Sequence, residues 1–170
     1  MVTRHGEQVR LEARDQPLSH TPLTEMTSRE SWNQQNPAVE AAIVRDLRTT
    51  ELVPRPHRNT KARFFRLGGA RRLQAHVSEL PPEGKSVKHR HTTEAVIFIV
   101  CGEGYTMLSW DGEQEHRIDW REGDVFSFPV WMWHQHFNAS ATEVCRYLAI
   151  QDTLAVKALG LHEIERAPED

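Results

Sequence analysis

From residue 63 onward, apolar and polar residues alternate in short runs. Leu73, Ala75 and Val77 alternate with Gln74, His76 and Ser78, the period of a strand with one apolar face. Strands are predicted over 63–67, 73–78, 87–91, 95–101, 105–110, 114–118, 124–128, 134–138 and 144–150. Turn signals separate them: Gly68-Gly69, Pro81-Pro82-Glu83-Gly84, Gly102-Glu103-Gly104, Asp111-Gly112 and Arg121-Glu122-Gly123-Asp124. Short strands at such regular spacing predict an all-β fold, a small antiparallel barrel or jelly roll.

Before residue 60 the pattern changes. The first thirty-odd residues, with Pro17 and Pro22, hold no sustained period and are expected to form an arm. Over 37–48 a helix is predicted: Asn36 caps it, Pro37 takes the first position, and Val39, Ile43 and Leu47 fall on one stripe. Pro54 and Pro56 then break the chain. The expected division is an N-terminal arm and helix over 1–60, a barrel over 61–152 and a C-terminal tail over 153–170. Strand 95–101 carries Val96, Phe98 and Val100 opposite the face turned to the interior, so it is apolar on both sides and needs a second covering layer. The helix stripe is too narrow to supply that layer. A two-fold homodimer is therefore expected, with the N-terminal segment across or beside its interface.

Composition narrows the function. A chain of 170 residues favours one domain, and a net charge of −3 with mixed signs gives no general attraction to nucleic acid or anionic membrane. The longest apolar run, 95–101, is far short of the roughly 18 residues needed to span a bilayer. The first residues hold no segment resembling a signal peptide. Cys101 and Cys145 lie within apolar stretches, which argues against a disulfide scaffold and fits a reducing cytoplasm. No serine triad, phosphate loop or dinucleotide fingerprint is present.

Histidine is the informative residue. His89 and His91 are two apart on a predicted strand, so both imidazoles leave one face about 7 Å apart. His134 and His136 repeat the arrangement on a later strand. Two such pairs in one small barrel point to a metal site, for which imidazole suits Fe, Zn, Cu and Ni.

The stretch Gly84-Lys-Ser-Val-Lys-His89-Arg-His91, with Gly102 eleven residues further on, resembles the first metal motif of the cupin superfamily. Gly123-Asp-Val-Phe-Ser-Phe-Pro129-Val-Trp131-Met-Trp133-His134-Gln-His136-Phe-Asn138 resembles the second, with Trp131 standing where glycine is usual. Within cupins, these motifs are most similar to gentisate 1,2-dioxygenases and related ring-cleaving dioxygenases. The resemblance implies a cupin fold and an Fe(II) site held by His89, His91 and His134, with Zn, Ni, Mn or Cu as other candidate ions. It also implies dioxygenase chemistry on a small hydroxylated or carboxylated aromatic compound. Two other readings stay open: a metal-dependent isomerase or lyase, and a non-catalytic sensory cupin.

Most cupins add a glutamate seven residues before the first motif's last glycine, where this chain has Ala95. Glu94 is one residue early, and a one-residue offset in a strand reverses the side chain. Glu94 is therefore expected to point away from the cavity. Around the metal, His136 shares the face of His134 and is the candidate catalytic group, as hydrogen-bond partner or acid/base. Trp131 is a candidate wall over a flat ring. Trp133 is read either as core or as a second wall, and His76 as a polar cavity residue or a solvated one. Arg63, Arg66 and Arg146 can each pair with a carboxylate bidentately, and Arg146 is carried as the candidate. Asn138 is expected to satisfy turn backbone, and Cys101 to be a small buried hydrophobe.

Overall fold

A computed structural model describes residues 38–168. The strands are β1 (Ala38–Ala41), β2 (Val53–Arg55), β3 (Thr60–Leu67), β4 (Gln74–Leu80), β5 (His89–His91), β6 (Ala95–Cys101), β7 (Glu103–Ser109), β8 (His116–Arg121), β9 (Val125–Ser127), β10 (Trp133–Asn138), β11 (Cys145–Gln151) and β12 (Ile164–Arg166). A 3-10 turn covers Pro56–Arg58, and one helix, α1, covers Thr153–Ala158.

The chain is mostly β, as the spacing predicted, and of the two expected forms, barrel or jelly roll, it shows two sheets and not a closed barrel. One sheet runs β1-β3-β4-β11-β6-β9, with β2 also on β3; the other runs β12-β5-β10-β7-β8. Hairpins join β3 to β4 and β7 to β8 within one sheet, whereas from β4 to β7 and from β8 to β12 each connection crosses to the other sheet. Gly102 is the corner between β6 and β7. Its φ is +85°, and a Cβ there would sit 2.7 Å from the Cβ of Cys145, so only glycine fits.

Strand parity builds the core. Ala95, Ile97 and Ile99 of β6 face inward and are buried, where they meet Leu108, Trp120 and Met132. The intervening Val96 and Phe98 are exposed. Gly104 permits a close approach, since a side chain there would strike the Phe137 carbonyl and the Trp120 ring.

The helix predicted over 37–48 does not form. Ala38–Ala41 pairs parallel with β3, Ala38 opposite Phe64 and Ala41 opposite Leu67. Asp46 then makes a tight turn, accepting from the Arg48 N–H at 3.1 Å and the Thr49 hydroxyl at 2.8 Å. A four-residue apolar spacing is only a weak helix signal, and the unpaired edge of β3 offers a ladder of hydrogen bonds in its place. Val39 and Ile43 are left exposed, while Val44 and Leu47 pack on the cluster of Phe65, Ala75 and Val77. The cap residues Asn36 and Pro37, like the arm, lie outside the described residues. Beyond β11, α1 is followed by β12, which pairs antiparallel with β5.

Candidate metal centre

His89 and His91 leave β5 on one face, and β10 brings His134 directly opposite His89 in register. The ligand atoms of these three imidazoles all lie within 4.8 Å of one another. Their outer nitrogens are committed to backbone. His89 Nδ1 is 2.8 Å from the Val87 carbonyl, His91 Nδ1 is 2.9 Å from the Thr93 carbonyl, and His134 Nδ1 is 2.9 Å from the Met132 carbonyl. A carbonyl only accepts, so we assign the proton to each Nδ1, the Thr93 hydroxyl lying also 2.9 Å from that of His91, and each Nε2 keeps a lone pair. Gln151 agrees with this, its amide Nε2 approaching His91 Nε2 at 3.4 Å as a donor. Three lone pairs thus lie within 4.8 Å of one another, a donor set that suits a divalent cation.

Burial keeps these rings neutral. It pushes His91 down to about 4. His89 and His134 lie well below the ordinary histidine value, burial being the first cause and the neighbouring imidazoles the next. Neutral imidazole is the ligating form.

His136 is buried beside them with the opposite tautomer. Trp120 Nε1–H donates to the Thr106 hydroxyl at 2.9 Å. That hydroxyl lies 2.8 Å from His136 Nδ1. With the Trp120 N–H filling one of its lone pairs, we assign its own proton to Nδ1, which leaves Nε2–H as the ring's donor. The centre holds three acceptors and, next to them, one donor.

A cavity of about 670 Å³, its open mouth included, surrounds the cluster and is lined from both sheets. Phe128, Ile97, Ala95 and Ala149 supply its apolar wall, and Arg55, Arg58, His76 and Tyr147 its polar one. His76 stacks on Phe64 with ring centroids 4.7 Å apart. Burial, with Arg55 and Arg58 nearby, pushes His76 down to about 3.

Of the residues expected around a ligand, His76 and His136 reach the cavity; Trp131, Trp133 and Arg146 do not. Arg146 is held by Glu79 at 2.7 Å and by the carbonyls of Leu47 and Thr50. The two tryptophans instead sandwich Arg90, whose guanidinium carbon is 4.8 Å from the Trp131 ring and 4.4 Å from the Trp133 ring. Trp131 has a φ of +67°, which explains why glycine is usual at its position. A left-handed tryptophan costs about 1–2 kcal/mol. A desolvated cation–π contact contributes about 2 kcal/mol, enough to offset it. Asn138 serves the turns, donating to the Pro81 and Glu143 carbonyls and accepting from the Ser140 N–H. Glu94 is exposed and outside the histidine cluster, as strand parity requires. Cys101 is half-buried, while burial pushes the Cys145 thiol up to about 12, which leaves it inert.

Sequence reasoning missed Arg55, Arg58, Gln151 and His162, all of which line the cavity. Arg55 and Arg58 flank a proline-rich break whose local pattern carries no metal signal.

In comparison with known proteins, residues 76–151 match the family described as Cupin domain. Over 91 residues the chain is 31% identical to a 5-aminosalicylate 1,2-dioxygenase of Comamonas sp, covering 53% of this chain and 22% of the relative. Over 68 residues it is 37% identical to gentisate 1,2 dioxygenase 1 of Aquipseudomonas alcaligenes, covering 40% of this chain and 18% of that one. The chain thus spans about a fifth of these curated relatives. Among solved structures, salicylate 1,2-dioxygenase from Pseudoaminobacter salicylatoxidans, with gentisate adducts, superposes with a TM-score of 0.57 at 14% identity, over 71% of this chain and 31% of that one. A vicilin from Solanum melongena superposes with a TM-score of 0.55 at 19% identity, over 65% of this chain and 30% of that one. At such identities the likeness is one of fold. Among the described residues, no helix is long and apolar enough to cross a membrane.

Proposed function

We propose that this protein is a metal-dependent dioxygenase acting on a small hydroxylated or carboxylated aromatic acid, with Fe(II) held by His89, His91 and His134. The observation that carries the reading is the cluster of His89, His91 and His134, whose ligand atoms lie within 4.8 Å of one another in the cavity while each Nδ1 faces a backbone carbonyl. Fe(II), when bound by three neutral imidazoles, keeps its full positive charge and supplies open positions for an anionic chelating substrate and for dioxygen.

The remaining residues suit an aromatic anion. Arg58 is buried on the cavity wall, and Arg55, though burial pushes it down to about 10, is still cationic at neutral pH. Together they take the role first assigned to Arg146, drawing a carboxylate inward and orienting it. His136 offers its Nε2–H to an oxygen of the substrate. Phe128, whose ring centroid is 4.3 Å from that of His134, covers the ring and excludes water. The curated relatives, named for aromatic acids of this kind, support the substrate class.

The test is to load the protein with Fe(II) anaerobically and follow oxygen uptake with salicylate, gentisate and 5-aminosalicylate. Uptake matched by loss of one acid is the expected result. Loss of an acid without uptake would indicate an isomerase or lyase. Binding without loss would indicate a sensory cupin.

A further inference from the structure

We propose that the segment from Leu161 to Arg166 completes the metal cavity, and that His162 is a specificity-determining residue contacting whatever ligand binds there, seated by Thr92. This rests on the reading of the cavity as a metal-centred ligand site. The segment lies beyond the cupin match, which ends at residue 151, yet His162 and Ile164 both line the cavity. His162 is only 9% exposed.

The way His162 is held argues for a positioned group. The Thr92 hydroxyl donates to the Leu161 carbonyl at 2.7 Å and accepts from the Glu163 N–H at 2.9 Å. The Thr92 N–H donates to the Glu163 carbonyl at 3.2 Å. One side chain thus brackets His162 on both sides, using both functions of its hydroxyl. Thr92 directly follows His91, so the placement of His162 is tied to that of a cluster histidine.

The rest of the segment is fastened along β5. Ile164, Glu165 and Arg166 pair with His91, Arg90 and His89. Arg90 Nε and Nη2 donate to Glu165 Oε2 at 2.7 and 2.6 Å, from a side chain that is almost fully buried. The Ala167 N–H reaches the Lys88 carbonyl at 3.0 Å. An exposed tail does not need this. The fastening fixes an imidazole, with one donor and one acceptor, against the space that a ligand of the centre would fill.

The test uses the full chain loaded with Co(II), a paramagnetic probe ion, and two acids that differ by one hydroxyl, salicylate and benzoate. In the parent, cobalt is expected to shift the His162 ring resonances. His162→Leu is expected to hold cobalt within about twofold of the parent while changing the salicylate-to-benzoate affinity ratio by about tenfold, the scale of one lost polar contact. Thr92→Val is expected to weaken the cobalt effect on His162 and move the ratio the same way, with Thr92→Ser restoring both. Unshifted His162 resonances, or an unchanged ratio in His162→Leu with cobalt still bound, would overturn the proposal. Failure of the parent to bind cobalt would remove the metal site and this inference with it. If the cobalt protein binds neither acid, the proposed substrate class falls and the cobalt shift of His162 decides.

Discussion

His89 and His134 bring their Nε2 atoms to 3.1 Å across the register that joins β5 to β10. Both nitrogens are acceptors, because each ring spends its proton on a carbonyl behind it. Two lone pairs at that distance repel unless a cation lies between or beside them. The fold holds this arrangement ready through backbone pairing, and a bound cation would relieve its electrostatic cost.

The tautomer assignment is directly measurable. Nitrogen-15 spectra are expected to show Nδ1–H on His89, His91 and His134, and Nε2–H on His136. In Thr106→Val the hydroxyl that donates to His136 Nδ1 is gone, so His136 is expected to become a mixture of tautomers. An unchanged His136 spectrum would show that the Trp120–Thr106 relay does not set it.

Arg58 is expected to act on the ligand and not on the metal. In Arg58→Met, Co(II) affinity should stay within about threefold, while binding of an aromatic acid weakens by about 10- to 100-fold, the scale of a lost hydrogen bond to a charged group. Equal losses of metal and acid affinity would place Arg58 in the support of the fold.

Acid should destabilise the protein over a definite window. Burial pushes His76 down to about 3 and His162 to about 4 in the folded chain, against an ordinary value of 6.5. Below 6.5 the unfolded chain takes up protons that the folded chain refuses, so it binds more protons and stability rises with pH. The expected outcome is a loss of unfolding free energy from pH 6.5 down to about 4, read from urea melts. A flat profile through that window would contradict these burials.

The outer face of β6 bears on assembly. Val96 and Phe98 are exposed there beside Val125 and Ile150, since the segment around Val44, Leu47 and Leu52 covers only the neighbouring part of the sheet. We propose that a second copy covers this patch as a two-fold dimer. Sedimentation is expected to give a dimer that Phe98→Glu dissociates. A monomer at micromolar concentration would rule the dimer out.

Much of this site was legible because its signal is local. His-x-His on a strand puts two imidazoles on one face whatever the rest of the chain does, and the offset of Glu94 was readable by the same parity. Trp131 was legible as an anomaly, though not where its ring would go, because that depends on Arg90 lying between it and Trp133. Arg58 and His162 were illegible for a different reason. They reach His91 only through the pairing of β12 with β5 and the turn after β2, contacts between residues far apart in sequence. The helix over 37–48 failed in the same way: its local pattern suited two structures, and pairing with β3 selected the strand.

The central claim, one cation on three neutral imidazoles, is tested most directly by X-ray absorption of the anaerobically metal-loaded protein with its metal content measured in parallel. The account predicts one ion per chain and three imidazole nitrogens at about 2.0–2.2 Å for a zinc-like ion. In His134→Ala, affinity is expected to fall by more than about 100-fold, with the far-ultraviolet spectrum of the strands retained. A carboxylate in the shell, an ion bound equally well by His134→Ala, or no ion at all would contradict it.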